Sequence, residues 1–114
     1  MNQSRLLMSL GLCTALVACS TAQVANEEAS ELIEQGQYEA GLARVEEGLR
    51  ENPRDTELHL LLNSGRAKAI TALLTQGDTD RARRDFASAR MAYSRVLTIE
   101  PNNRRAQDAL RQLD

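Results

Sequence analysis

Apolar side chains recur along this chain at intervals of three and four residues, in runs that glycine and proline interrupt. Between residues 38 and 49 they occupy positions i, i+4, i+7 and i+11 of one helix face, before Asn52 and Pro53 end the run. No stretch alternates apolar and polar residues for long enough to form a strand. With no Trp and one Phe, the core must be built mainly from aliphatic residues. The sequence therefore predicts an all-α fold.

The interruptions divide the chain into about five predicted helices, arranged as antiparallel hairpins. Asp55 is the expected N-cap of the third helix, and Asp78 or Thr79 that of the fourth. The five helices run from 24 to a break at Gly36, from 38 to 52–53, from Asp55 to 76–77, from 78 or 79 to 100–102, and through 106–113.

The N-terminal segment has the pattern of an export signal. The first five residues carry one positive charge, and residues 6–18 are almost all apolar or small. As a helix, this apolar segment spans only about 20 Å, short of the roughly 30 Å hydrocarbon core of a bilayer. We therefore expect it to be removed rather than to remain as a membrane anchor. It ends in the residues Leu16-Val17-Ala18-Cys19.

This ending resembles the lipoprotein box of bacterial lipoproteins, in which small residues precede an obligatory cysteine. The resemblance implies cleavage between Ala18 and Cys19, diacylglycerol on the Cys19 sulfur, and a further acyl chain such as palmitate on the new amino group. Two or more such chains hold a protein stably on a membrane. The implied organisation is a lipoprotein signal peptide at 1–18, a lipidated tether at 19–23 and a helical domain at 24–114.

Ser20, directly after the cysteine, resembles the pattern that sends Gram-negative lipoproteins to the outer membrane, facing the periplasm. Cys13 lies in the segment expected to be removed, so the mature chain would have no free thiol for a disulfide or a metal. The alternative is that Cys19 is an unmodified cysteine in an apolar stretch.

Residues 36–53 and 84–101 share a pattern. When Tyr38 is aligned with Phe86, Pro53 falls on Pro101 and small residues coincide between them. The pattern resembles the second helix of tetratricopeptide repeats, in which the aromatic residue wedges between paired helices. The copies are 48 residues apart rather than the 34 of that family. This spacing predicts either a longer third helix or an inserted element near Gly77.

In tetratricopeptide proteins the first helix of each hairpin lines the binding groove. The resemblance therefore implies that Asn26, Ser30 and Ile33 contact a protein or peptide partner. The expected function is that of a scaffold for protein–protein interaction in cell-envelope assembly or secretion.

The residues give little support to catalysis. His59 is the only histidine and has no second metal-type ligand near it in the sequence. The glutamates at 27, 28, 31 and 34 are expected to form a solvated acidic face. We expect no enzyme activity, no cofactor, no metal site and no small-molecule substrate.

Charge is divided unevenly along the chain. Residues 19–57 hold ten acidic residues and three arginines, whereas residues 58–114 hold six acidic and ten basic residues. Such a split fits an external partner, but it equally fits two contacting layers of one small bundle. The arginines between 81 and 95 do not predict nucleic-acid binding, because aromatic residues do not alternate with them and helical pairs of Asp80 with Arg84 and Arg81 with Asp85 would partly neutralise them.

Two other functions remain open. The stretch 82–113 is similar to helical leaders that precede secretin-family outer-membrane channels of type II secretion or pilus systems, so the chain would be a separate or truncated leader subunit. A lytic or hydrolase-associated lipoprotein is the third alternative.

Overall fold

A computed structural model describes residues 21–114, and this part of the chain is entirely helical. Helix α1 covers 21–34, α2 Tyr38–Glu51, α3 Thr56–Ala82, α4 Phe86–Ile99 and α5 Arg104–Leu113. Residues 21–114 contain no strand. The predicted all-α fold with about five helices is confirmed for these residues. None of the helices within 21–114 has both the length and the apolar character that a membrane span requires.

The described residues divide into two compact units, 21–62 and Asn63–Asp114, and the boundary falls within α3. The first unit contains α1, α2 and the start of α3, and the second contains the rest of α3 with α4 and α5. The described part of the first unit holds ten acidic residues against three arginines. The second unit holds six acidic against ten basic residues. The charge asymmetry of the sequence therefore coincides with the division into units.

The first unit packs α1 against α2 at very short range. Thr21 lies beside Asn52, whose side-chain amide donates to its hydroxyl at 3.3 Å, and Glu28 lies beside Arg44. The order of these pairs shows that the two helices are antiparallel. A Cβ atom at Gly48 would lie only 2.7 Å from the Ala25 Cβ, so glycine permits the approach. The core consists of small and aliphatic residues: Ala22, Ala25, Ala29, Val45 and Leu58, with Leu49, Leu61 and Leu62 packed against them.

The 48-residue spacing recurs in the hydrogen bonds of the two units. Asp55 accepts from the backbone N–H of Leu58 at 2.9 Å, and Asn103 accepts from that of Ala106 at the same distance. These residues cap α3 and α5, and the prediction that Asp55 is an N-cap is confirmed.

A second bond around each of these caps follows the same spacing. The His59 ring lies 2.7 Å from the Pro53 carbonyl oxygen, and the Gln107 amide donates to the Pro101 carbonyl oxygen at 2.9 Å. In both units, therefore, a side chain in the first turn of the helix is bonded to the backbone of the proline that precedes the cap.

The turns within the hairpins repeat as well. The Gln37 N–H donates to the Leu32 carbonyl, and the Asp85 N–H donates to the Asp80 carbonyl, both at 2.9 Å. These bonds across six residues are typical of a helix C-terminus closed by a left-handed residue. That residue is Gly36 in the first hairpin, with φ 79°, and Arg84 in the second, with φ 63°. Glycine adopts this conformation without steric cost, whereas arginine does not.

We therefore expect Arg84→Gly to raise the free energy of unfolding by about 1 kcal/mol, since the left-handed conformation costs a residue with a Cβ about 1–2 kcal/mol. Chemical denaturation monitored by circular dichroism would measure the change. The matched control is Arg83→Gly in the same turn, which has no positive φ to relieve and adds freedom to the unfolded chain, so it should not stabilise. Equal gains from both variants would contradict the explanation.

Three expectations about boundaries differ from the structure. Helix α3 continues through Gly77 to Ala82, so the third helix does not end at 76–77 and neither Asp78 nor Thr79 caps a fourth helix. The α4 cap is Asp85, which accepts from the Ser88 N–H at 3.1 Å. Of the two alternatives for the longer repeat, the lengthened third helix is the one observed. Residues 21–23 of the expected tether belong to α1, and Ala22 is buried.

Candidate functional site

The predicted lipid-attachment and cleavage residues, Ala18 and Cys19, lie outside the described residues. What the structure does describe is the helix that follows them. Helix α1 already includes residue 21, so at most Cys19 and Ser20 separate the attachment point from the described helical unit in the processed chain.

The predicted partner face on α1 is only partly accessible. Asn26 and Ser30 are partly exposed, but Ile33 is 4% exposed and belongs to the core. Its side chain lies beside Gly41, where a Cβ atom would be 2.6 Å from the Ile33 Cγ1. Ile33 is therefore a packing residue in this structure and is not available to a partner. Asn26 and Ser30 remain the candidates.

Three of the four α1 glutamates form one exposed face of the helix. Glu27, Glu31 and Glu34 are spaced at i, i+4 and i+7 and are exposed, opposite the buried alanines of the same helix. Glu28 lies to one side of this face and pairs with Arg44 at 2.5 Å. The hydrogen bond to Glu28 raises the pKa of Arg44 above its usual value. The glutamate face of Glu27, Glu31 and Glu34 is thus negatively charged and faces solvent.

In the second unit, a hydrogen-bonded network surrounds the buried residue Tyr93. Its ring is completely buried and packs against Gly77, where a Cβ atom would be 2.5 Å from the ring. Its hydroxyl donates to an Asp78 carboxylate oxygen at 2.6 Å, and Arg105 pairs with the other oxygen of that carboxylate. Helices α3, α4 and α5 are therefore joined through one carboxylate. Phe86, the aromatic wedge that the repeat pattern predicts, is instead 48% exposed.

Burial, together with the bond to Asp78, raises the pKa of Tyr93 to about 12. An unfolded tyrosine ionises near pH 10, so between about pH 10 and 12 the unfolded chain loses this proton while the folded chain keeps it. Stability should therefore fall as pH rises through this window, by about 2–3 kcal/mol. Denaturation of the parent and of Tyr93→Phe across the window would check this expectation. The variant should not show this loss of stability between about pH 10 and 12. Parallel curves of unfolding free energy against pH for the two proteins would contradict the expectation.

A polar cleft of about 410 Å³ opens beside this network, between the end of α3 and α5. Its walls are formed by Asp78, Arg81, Arg105, Asp108, Ala109 and Gln112. Arg81 donates to the Gln112 side chain at 2.9 Å, and Arg105 pairs with Asp78. Its two arginines and two aspartates balance in charge, and each arginine already has a partner within the unit. The cleft offers hydrogen-bonding groups, but it does not assemble a nucleophile with a base.

The remaining candidates for chemistry have structural roles in the described residues. His59 is exposed, and its ring is bonded to the Pro53 carbonyl. Between residues 21 and 114, no group of three or more His, Cys, Asp or Glu side chains converges as a metal site would require. Asp80 with Arg84 and Arg81 with Asp85 are not i, i+4 pairs within one helix, contrary to expectation. The reason is that α3 ends at Ala82 and Asp85 caps α4.

Sequence reasoning missed Gly77, Asp78 and Tyr93 as the centre of the second unit. One signal was present in the repeat: Gly77 is 48 residues after Ala29, a small residue of the first unit core. The pairing of Asp78 with Tyr93 has no counterpart there, because Ser30 and Val45 occupy the equivalent positions.

The comparisons with known proteins add no family. No family model matches the chain, and no curated protein or solved structure is significantly similar to it. Its function must therefore be argued from its own residues.

Proposed function

We propose that the chain is a lipoprotein of the bacterial outer membrane that acts, without catalysis, as a helical scaffold for another envelope protein or peptide in the periplasm. The observation that carries the proposal is the Leu16-Val17-Ala18-Cys19 ending of a short apolar segment with a basic start. In the mature protein, acyl chains on Cys19 anchor the helical domain to the membrane.

Two features of the described units support a binding role. The two units carry net charges of opposite sign, so each offers a partner a field of one sign. Asn26 and Ser30 place an amide and a hydroxyl on a partly exposed face of α1, where both can form hydrogen bonds with a polypeptide.

The anchor is tested by replacing its sulfur. Cys19→Ser should abolish incorporation of labelled palmitate in cells and remove the protein from the outer-membrane fraction, because serine cannot form the thioether. Cys13→Ser is the matched control, since that residue leaves with the signal segment, and it should change neither result. Palmitate on the Cys19→Ser variant, or none on the parent, would contradict lipidation at this position.

The scaffold role is tested by photo-crosslinking in intact cells. A photoreactive residue at position 26 or 30 should capture one defined protein, whereas the same residue at exposed Glu46 of α2 should not. Identification of the captured protein then separates the expected scaffold from the leader subunit: a secretin would make the chain a leader subunit, and another envelope protein would make it an adaptor. Identical products from all three positions would contradict the assignment of this face.

A further inference from the structure

The end of the first unit that lies nearest to Cys19 is formed by the start of α1, the turn at 52–55 and the start of α3. Thr21 and Asn52 are joined there by a hydrogen bond at 3.3 Å, and Asp55 caps α3 in the same turn. The opposite end carries the turn at 35–37. Since α1 spans 21–34 and rises 1.5 Å per residue, the two ends are about 20 Å apart.

Covalent geometry limits how far this end can move from a lipidated Cys19. Two residues of extended chain reach about 7 Å, and Thr21 is the second residue after the cysteine. Acyl chains on Cys19 must lie in the hydrocarbon layer. On each side of the bilayer, a headgroup layer about 5–8 Å thick covers this hydrocarbon layer. Thr21 therefore cannot move much beyond the outer edge of the headgroups.

The same end carries the large exposed apolar residues of the described part of the unit. In the described part of the first unit, the large apolar side chains with high exposure are Val24, at 44%, and Leu60, at 63%. Val24 lies three residues into the described part of α1, and Leu60 lies four residues after the first residue of α3. Both are thus within about 6 Å of the end nearest Cys19 along their helices. Apolar side chains at that height can contact the headgroup layer.

The glutamate face opposes a flat orientation of the unit. A helix that lies in the membrane plane needs its apolar face in the lipid and basic residues beside the headgroups. In α1 the apolar face is buried within the unit, and the outer face presents Glu27, Glu31 and Glu34. Anionic headgroups repel this face, and the repulsion acts over about 10 Å at ordinary salt.

We propose that the first unit stands upright on the lipid surface, with the turn at 52–55, Val24 and Leu60 against the headgroups and the turn at 35–37 directed away from the membrane. This orientation rests on the proposed lipidation of Cys19. The partner it identifies is the bilayer itself, and the short connection at Cys19 and Ser20 keeps this end of the unit close to the membrane surface.

Depth-dependent fluorescence quenching tests the orientation on the full lipidated chain. The mature protein would be reconstituted into vesicles of phosphatidylcholine and phosphatidylglycerol, with a single added cysteine carrying an environment-sensitive dye. Arg54→Cys and Gln37→Cys place the dye at exposed positions of the two ends. A headgroup nitroxide lipid should quench the dye at 54 by at least several-fold more than the dye at 37. Equal quenching at both sites, or none at 54, would overturn the proposal.

Two variants separate the contributions of the short connection and the charge. Ten Gly/Ser residues inserted between Ser20 and Thr21 should abolish most of the quenching at 54 while the protein still floats with the vesicles; unchanged quenching would show that the short connection does not set the orientation. The combined change Glu27→Lys, Glu31→Lys and Glu34→Lys should produce quenching at 37, and no change there would exclude the charge argument. A parent protein that does not float with vesicles indicates failure of the lipid anchor, and therefore of the proposed function, rather than of the orientation.

Discussion

Tyr93→Ala should lower the free energy of unfolding by about 3–5 kcal/mol, the usual cost of truncating a buried aromatic side chain to alanine. The ring is fully buried and fills the space that Gly77 leaves on α3. Its loss also removes the hydroxyl donor from Asp78. Since domains of this size are stable by only about 5–15 kcal/mol, the variant should approach the limit of folding.

The measurement is denaturant unfolding of parent and variant, both in a Cys19→Ser background that removes the proposed lipid site. Phe86→Ala is the matched control, because it truncates an aromatic residue of the same helix that is 48% exposed. It should cost about half as much or less, since only the buried part of its area is lost. Tyr93→Phe should cost less than Tyr93→Ala and report the hydroxyl alone. Equal losses for Tyr93→Ala and Phe86→Ala would show that Tyr93 is not the centre of its unit.

Helical periodicity predicted most of this fold because its physical cause is local. A helix that buries one face must place apolar residues every three or four positions, and prolines or caps must mark its ends. The stops at Pro53 and Pro101 and the cap at Asp55 were therefore readable from the sequence. The 48-residue repeat was also readable from the sequence. The hydrogen bonds that repeat with this spacing, however, include caps and turns outside the aligned segments 36–53 and 84–101.

The errors occur where tertiary packing outweighs local preference. Glycine disfavours a helix interior by about 1 kcal/mol, so the sequence predicts a break at Gly77. In the structure this glycine is the contact that lets Tyr93 pack on α3. The resemblance to tetratricopeptide repeats implied that Ile33 contacts a partner, but a resemblance does not show which neighbour covers a residue. In the structure, the close-packed α2 covers Ile33.

The lipid site belongs to a different kind of inference. The proposed recognition of Ala18 and Cys19 by processing enzymes of the host would leave no trace in the packing of residues 21–114. The fold of those residues would be the same with or without acyl chains. The position of Thr21 at the start of the described helix is the structural fact that connects the two, because it would convert the proposed modification into an orientation of the unit.

Gly77→Val should destabilise the second unit by about 2–3 kcal/mol, although helix propensity alone favours valine over glycine by a few tenths of a kcal/mol. The Cβ alone would lie 2.5, 2.7 and 2.8 Å from three atoms of the Tyr93 ring, and the two methyl groups add further overlap. Thr75→Val, at an exposed position of the same helix, is the control and should be nearly neutral.

A double-mutant cycle of Gly77→Val and Tyr93→Ala gives the sharper result. In the Tyr93→Ala background the ring is gone, so Gly77→Val should cost little or fill part of the cavity, and the two changes should couple by at least about 1 kcal/mol. Additive losses would mean that Gly77 is required for a reason other than the ring.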